Sequence, residues 1–483
     1  MTTLKVKQSN LYQFIHGNNA MSQTLELVDW NLEAAPAGIL TTGGCNTVEL
    51  AHEYGTPLHV VNELQLQSAA KSFLTTAQTE YPGKVSVHYP FKCNSVSGIV
   101  QIIQRAGLKA EVMTEFELVL ARRLGYAGSD IIVNGPCKVE SFLTQCMKTH
   151  VRFIVVDSLD ELRVLNDLSN SIDSEVSILL RVNPDYTPGG MNEGSATGSR
   201  KGCAFGFDLK GGEVNQALSL LKEMSHVHFK GFHLHIGTGI RHAQDYSKAL
   251  QCLSQLIADS CFYEFKIQVL DVGGGFAAST SRELTAKEML LYQVFGRLPA
   301  QHGNHQSSVK EFIRSIVSEV QKNFSGNDLP ELIFEPGRCI TSSSQMLLLT
   351  IHRLKERDGV GKWLIADGGL STVTLPTYYE YHEIFLCNDV RRPRSETVNI
   401  IGPACFAGDV IYRNKRMPET KPGEVIALMD TGAYFTAMES SFGFPHPAII
   451  AVNDGSARLL RTRESFDEMM QRDTYLPDIQ VQS

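Results

Sequence analysis

The sequence predicts an α/β chain: a (β/α)8 TIM-type barrel followed by a C-terminal antiparallel β domain. Two observations carry the prediction. Between Val85 and Arg338, short continuous apolar runs alternate with helix-like stretches, and eight such runs can be counted. That is the pattern of a parallel sheet buried on both faces. After Arg338 the rhythm changes to strands punctuated by glycine and proline, with few helical stretches. A doubly wound sheet is the structural rival.

The elements follow in order. Residues 1–58 are assigned to an N-terminal arm that joins the β domain, 59–340 to the barrel and 341–483 to the C-terminal β domain. The barrel runs begin near Val85, Leu108, Ile131, Phe153, Val176, Phe229, Ile267 and Leu332. One connecting helix is plain, because Val309, Phe312, Ile313, Ile316, Val317 and Val320 fall on one helical stripe. In the C-terminal part, strands are expected near Met346, Lys362, Glu383, Thr397, Val410, Glu424 and Ala448.

Composition narrows the function. The chain has 483 residues, 43% hydrophobic and 20% charged, which is ordinary globular composition. Its formal charge of −8 argues against nucleic-acid binding over a broad surface. No apolar run approaches the roughly 18–20 residues that span a bilayer. Met1 to Asn10 is polar and lacks a signal-peptide core. The ten cysteines are scattered, without a CxxC pair or zinc spacing, so no disulfide framework and no metal are expected and a reducing cytoplasm is the simplest compartment.

In such a barrel the functional groups gather at the C-terminal ends of the strands. Here those ends carry Lys92, Glu111, Arg181, His233, His235, the Gly273-Gly274-Gly275 run, Glu335 and Arg338. A lysine closing an apolar run is either a rim residue that snorkels outward or an activated amine. The triple glycine is either a tight turn or a set of open backbone amides for an anion. Thr238 between Gly237 and Gly239 makes a second small, donor-rich loop, and Arg338 adds a guanidinium suited to phosphate. Glu335 beside Arg338 is either a plain ion pair or a carboxylate that holds a proton on a cofactor ring nitrogen.

The segments HYPFKCNS, GFHLHIGTG, LDVGGGF, FEPGR, GPACFAGD and DTGAY occur in an order that resembles the fold-type III pyridoxal-phosphate decarboxylases. That group holds diaminopimelate, ornithine and arginine decarboxylases, with alanine racemase as a distant relative of the same architecture. The resemblance covers about Val48 to Val452. It implies pyridoxal 5'-phosphate as cofactor, with Lys92 as the residue bonded to it. His235 would stack on its ring, and Glu335 would meet the ring nitrogen. Thr238, Gly273, Gly274, Gly275, Gly337, Arg338 and Tyr434 would hold its phosphate end. Cys405 resembles the cysteine that a partner subunit presents to return a proton to Cα, and Asp409 completes that motif. Arg181, Glu111 and Tyr379 match substrate-side positions. The resemblance further implies an obligate homodimer with shared sites.

Departures from the family bear on the substrate. Leu375 stands where diaminopimelate decarboxylases carry an arginine before proline that reads a distal carboxylate. Phe406 follows Cys405 where an acid reads the distal amine. Phe442-Gly443-Phe444-Pro445 replaces a further recognition segment. The expected function is α-decarboxylation of a diaminopimelate- or ornithine-like amino acid, or of an amino-acid conjugate such as a siderophore or antibiotic precursor. The alternatives are an amino-acid racemase, disfavoured by Glu335, and a non-catalytic homologue that acts as a binding regulator.

Overall fold

The computed structural model describes residues 26–191, 196–296, 306–324, 326–373 and 380–474. Eight parallel strands close into a barrel: β1 (Val85–Pro90), β2 (Lys109–Val112), β3 (Ile131–Val133), β4 (Phe153–Val156), β5 (Val176–Asn183), β6 (Val227–His233), β7 (Val269–Asp271) and β8 (Glu331–Phe334). They neighbour one another in chain order, and β8 pairs with β1 to complete the ring. All eight runs counted in the sequence are barrel strands.

These strands are buried on both faces, which explains their lack of alternation. Ile131, Ile132 and Val133 are fully buried, as is every residue of β8 apart from Glu331 at its base. Ile132, Phe153, Val155, Leu179, Val269 and Ile333 pack together as one interior cluster. The outer face is covered by helices. Val309–Asn323 is typical: Ser308 and Glu311 form a capping box, and Phe312, Ile313, Ile316, Val317 and Val320 are buried.

The second domain is a sheet ordered Val410–Met417, Glu396–Ile401, Gly361–Ala366, Gln345–Arg357, Leu58–Asn62, Ala448–Asn453 and Ser456–Arg461. It is antiparallel except at two places. Gly361–Ala366 runs parallel to Glu396–Ile401, and Leu58–Asn62 runs parallel to Ala448–Asn453. These pairings make Leu58–Asn62, which straddles the expected boundary between residues 58 and 59, a central strand of this sheet. Trp30 and Leu40 from the arm share a buried core with Leu58, Val60, Leu348 and Ile450.

Barrel and sheet are tied by a buried acid. The Asp430 carboxylate accepts from Trp30 Nε1 at 2.8 Å and also from the Thr280 hydroxyl, joining arm, sheet and barrel loop. Among the described residues no helix is long and apolar enough to cross a membrane.

Candidate active site

Register builds the site. In the parallel ladder, Arg181 of β5 lies beside His233 of β6, which lies beside Asp271 of β7. On the other side, Pro90 of β1 lies beside Glu111 of β2. A row of polar side chains at one level of a closed barrel must converge on its mouth.

Lys92 sits in the turn just after β1, and its Nζ donates to Glu111 Oε2 at 2.6 Å. Burial pulls the ammonium down, but the charges of Glu111 and Glu335 outweigh it and hold Lys92 above its ordinary value. Glu111, expected on the substrate side, is fully buried and engaged by the lysine instead. Burial raises its own carboxyl above the ordinary value.

Glu335 follows β8 and is 4% exposed. Asn134 Nδ2 donates to its Oε1 at 2.7 Å, and His233 Nε2 lies 3.6 Å from its Oε2. Burial opposes its charge, but His233 and Lys92 overcome that and keep Glu335 well below the usual carboxylate range. Glu335 is therefore an anion at neutral pH. Burial, then Arg181 and Lys92, push His235 down to about 3, so its ring is neutral. The Gly274 N–H donates to His235 Nδ1 at 3.1 Å, which leaves the proton on Nε2 and fixes the ring.

The glycine run is required by backbone packing. A Cβ on Gly274 would lie 2.1 Å from the Glu335 carbonyl oxygen, and one on Gly275 2.1 Å from the Gly237 carbonyl oxygen. Ile240 N donates to Gly275 O, so the Gly237-Thr238-Gly239 turn is locked to this run. Tyr434, in a left-handed conformation at φ 66°, donates its N–H to the Cys93 carbonyl and brings its ring within 5.1 Å of the Arg338 guanidinium. A Cβ on Gly337 would lie 3.1 Å from the Cys93 and Pro90 side chains, a tight fit.

Arg338 is paired with a group the sequence did not reveal. Its Nη1 lies 2.6 Å from Glu380 Oε1, both side chains being buried, while its Nε has no hydrogen-bond partner. Both line a small cavity of about 10 Å³ with Gly239, Arg241 and Glu283. Burial and the Glu380 charge push Glu283 up to about 7. Arg181, expected to meet substrate, is held by Asp157 at 3.4 Å and lies over Phe205 at 4.3 Å.

Cys405 is exposed in the loop between Glu396–Ile401 and Val410–Met417. Phe406 is 52% exposed and packs against Phe442 at 6.1 Å between ring centroids. Asp409 is buried and accepts from Leu370 N at 2.6 Å and Ala404 N at 2.7 Å. Leu375 and Tyr379 lie outside the described residues.

These residues fit a pyridoxal cofactor. Both nitrogens of buried His233 lack a hydrogen-bond partner, as does Arg338 Nε, so the mouth holds polar groups that the protein alone leaves unsatisfied. An ionised carboxylate, a neutral imidazole, a primary amine and a bare glycine turn face one another. His233, Asp271 and Glu335 also bring one ligating atom each within 4.8 Å of one another; Asn134 engages one oxygen of Glu335 and the Gly273 N–H one oxygen of Asp271.

Comparison with known proteins agrees. Residues 68–342 match the family model described as pyridoxal-dependent decarboxylase, pyridoxal binding domain. The diaminopimelate decarboxylase of Bacillus subtilis is 28% identical over 95% of this chain and 98% of its own length. That of Methanocaldococcus jannaschii is 26% identical over 90% of this chain and 95% of its own. The crystal structure of diaminopimelate decarboxylase from M. jannaschii superposes with a TM-score of 0.83 at 24% identity, covering 94% of this chain and 99% of that one. A lysine/ornithine decarboxylase from Vibrio vulnificus, solved with putrescine, gives 0.66 at 19% identity, covering 84% and 98%.

Proposed function

The chain belongs to the pyridoxal-dependent decarboxylase family and is a pyridoxal 5'-phosphate-dependent amino-acid carboxy-lyase; on that premise we propose that it removes the α-carboxylate of a diaminopimelate- or ornithine-like amino acid carried on a conjugate, such as a siderophore or antibiotic precursor. The observation that carries the conjugate is the exposed Phe406–Phe442 pair flanking Cys405. An aromatic surface is a poor host for the bare ammonium or carboxylate of a free diamino acid, whose desolvation it would not offset. It suits a larger, less charged group.

Each residue has a part in this reading. Bound pyridoxal 5'-phosphate supplies an aldehyde carbon for an amine and a protonated ring that withdraws electrons from Cα. Lys92 would be the amine that holds the cofactor, and Glu111, 2.6 Å away, is placed to take the ammonium proton. His235 gives one face of the mouth a flat neutral surface. Glu335 holds the proton on the ring nitrogen, and Asn134 keeps its carboxylate in place. The glycine turn, Thr238, Arg338 and Tyr434 hold the phosphate.

Cys405 donates a proton to Cα after carbon dioxide has left. Its exposure in one chain supports a homodimer in which each copy completes the other's site. All ten cysteines are free thiols, which suits a reducing cytoplasm.

The test is carbon dioxide release across free and N-acylated diamino acids. Faster turnover of the acylated forms is expected. Rapid turnover of free diaminopimelate, with none of the acylated forms, would remove the conjugate.

A further inference from the structure

We infer that Asp271 is a positioning residue that keeps a proton at neutral pH and donates it to Glu335, so that the buried pair carries one negative charge. The inference rests on the reading that Glu335 meets the ring nitrogen.

The geometry is specific. Asp271 ends β7 and is fully buried. Its Oδ1 is committed as an acceptor, taking the Gly273 N–H at 2.8 Å. Its Oδ2 is buried with no hydrogen-bond donor. The Asp271 and Glu335 carboxylates face each other, with oxygens within 4.8 Å. Two buried carboxylates at this separation cannot both ionise without strong mutual repulsion. Glu335 is the one supported as an anion, by Asn134, His233 and Lys92. That leaves the proton to Asp271, on Oδ2. The titratable groups facing Asp271 are Glu335 after β8, His233 on β6 and Glu111 on β2. Burial and then the Glu335 charge push its carboxyl well above the ordinary range.

The arrangement joins two parts of the site. Through Oδ1, Asp271 holds the glycine turn. Through Oδ2 it orients the carboxylate opposite the ring nitrogen. Glu335 N also donates to the Gly273 carbonyl at 2.8 Å, so turn and carboxylate are coupled twice. A neutral donor at position 271 stabilises the anion at 335, whereas a second anion would favour its protonation.

The experiment compares wild type with Asp271→Asn and Asp271→Leu. Infrared spectra of the cofactor-free proteins should show a protonated-carboxyl C=O stretch in wild type that weakens in Asp271→Asn. Asparagine also donates, so Asp271→Asn should bind pyridoxal phosphate within about threefold of wild type and keep the pH profile of its absorbance. Asp271→Leu should lose about tenfold or more, the equivalent of one hydrogen bond to a charged group. An unchanged infrared band in folded Asp271→Asn, or equal losses in Asn and Leu, would overturn the inference. If asparagine prevents folding, Asp271→Ser gives the same infrared readout. Glu335→Gln separates the underlying reading: if Glu335 does not meet the cofactor, that variant leaves cofactor affinity and absorbance unchanged, whatever the infrared shows.

Discussion

Lys92 Nζ and Glu111 Oε2 lie 2.6 Å apart across the first two barrel strands, with Glu111 fully buried. In the proposed reaction the pair joins the amine that must become neutral to a base able to take its proton. Because the Glu111 charge helps hold Lys92 above its ordinary value, Glu111→Gln lowers the lysine's pKa. The pH profile for forming the visible-edge absorbance of the lysine-linked cofactor should then shift toward acid. Lys92→Ala should abolish that absorbance and lower turnover by on the order of a thousandfold. A profile unmoved by Glu111→Gln would show that the pair is only structural.

The loop that carries Cys405 is held by Asp409, whose carboxylate takes the N–H groups of Leu370 and Ala404. Asp409→Ala leaves both amides without their partner, at a cost of about 1–3 kcal/mol each where they stay dry. Faster amide exchange at Leu370 and Ala404 is expected, with turnover falling while cofactor affinity holds. If cofactor affinity fell in parallel, Asp409 would be supporting the barrel mouth rather than this loop.

Much of this was legible in sequence, and the limits have physical reasons. The eight barrel strands show as continuous apolar runs because both faces are buried, and the helix Val309–Asn323 shows its stripe because one face is. Leu58–Asn62 is also buried throughout and is followed by a helix, so it imitates a barrel unit. Only pairing partners 280 or more residues away reveal its sheet. Lys92 and Glu335 stand out as charges closing apolar runs. Asn134 also closes an apolar run, but an asparagine at a strand end reads as ordinary turn chemistry. Glu380 meets Arg338 only through the fold, and Asp409 binds backbone amides, which leave no mark in sequence.

The proposed shared site makes a complementation prediction. Lys92→Ala and Cys405→Ala should each lose most turnover as pure proteins. After the two are unfolded and refolded together in equal amounts, random pairing gives about half heterodimers, each with one intact site. Roughly one quarter of wild-type activity should return. No recovery, with dimers present by sedimentation, would place Cys405 in the same chain's site as Lys92 or outside the reaction.

The base of the barrel predicts the acid limit of stability. Glu331 is bound by Arg152 through both oxygens at 2.7 and 2.6 Å, by Ser86 at 2.9 Å and by Lys84 at 2.8 Å. Burial opposes its charge, but these partners prevail and lower its pKa below the ordinary 4.5. A carboxylate with a depressed folded pKa stabilises the fold fully above its unfolded value. The contribution is lost as pH falls from there through the folded value, because the unfolded chain takes up the proton first. Wild type should therefore lose melting temperature progressively as pH drops below about 4.5, in part through this residue. Glu331→Gln should be less stable at pH 7 by about 3 kcal/mol, since it leaves Arg152 half-buried and unpaired. Its melting temperature should also fall less steeply toward acid, so the two curves converge at low pH. Parallel curves over that range would mean that Glu331 titrates alike in folded and unfolded chains and that the Arg152 pairing adds nothing to the fold.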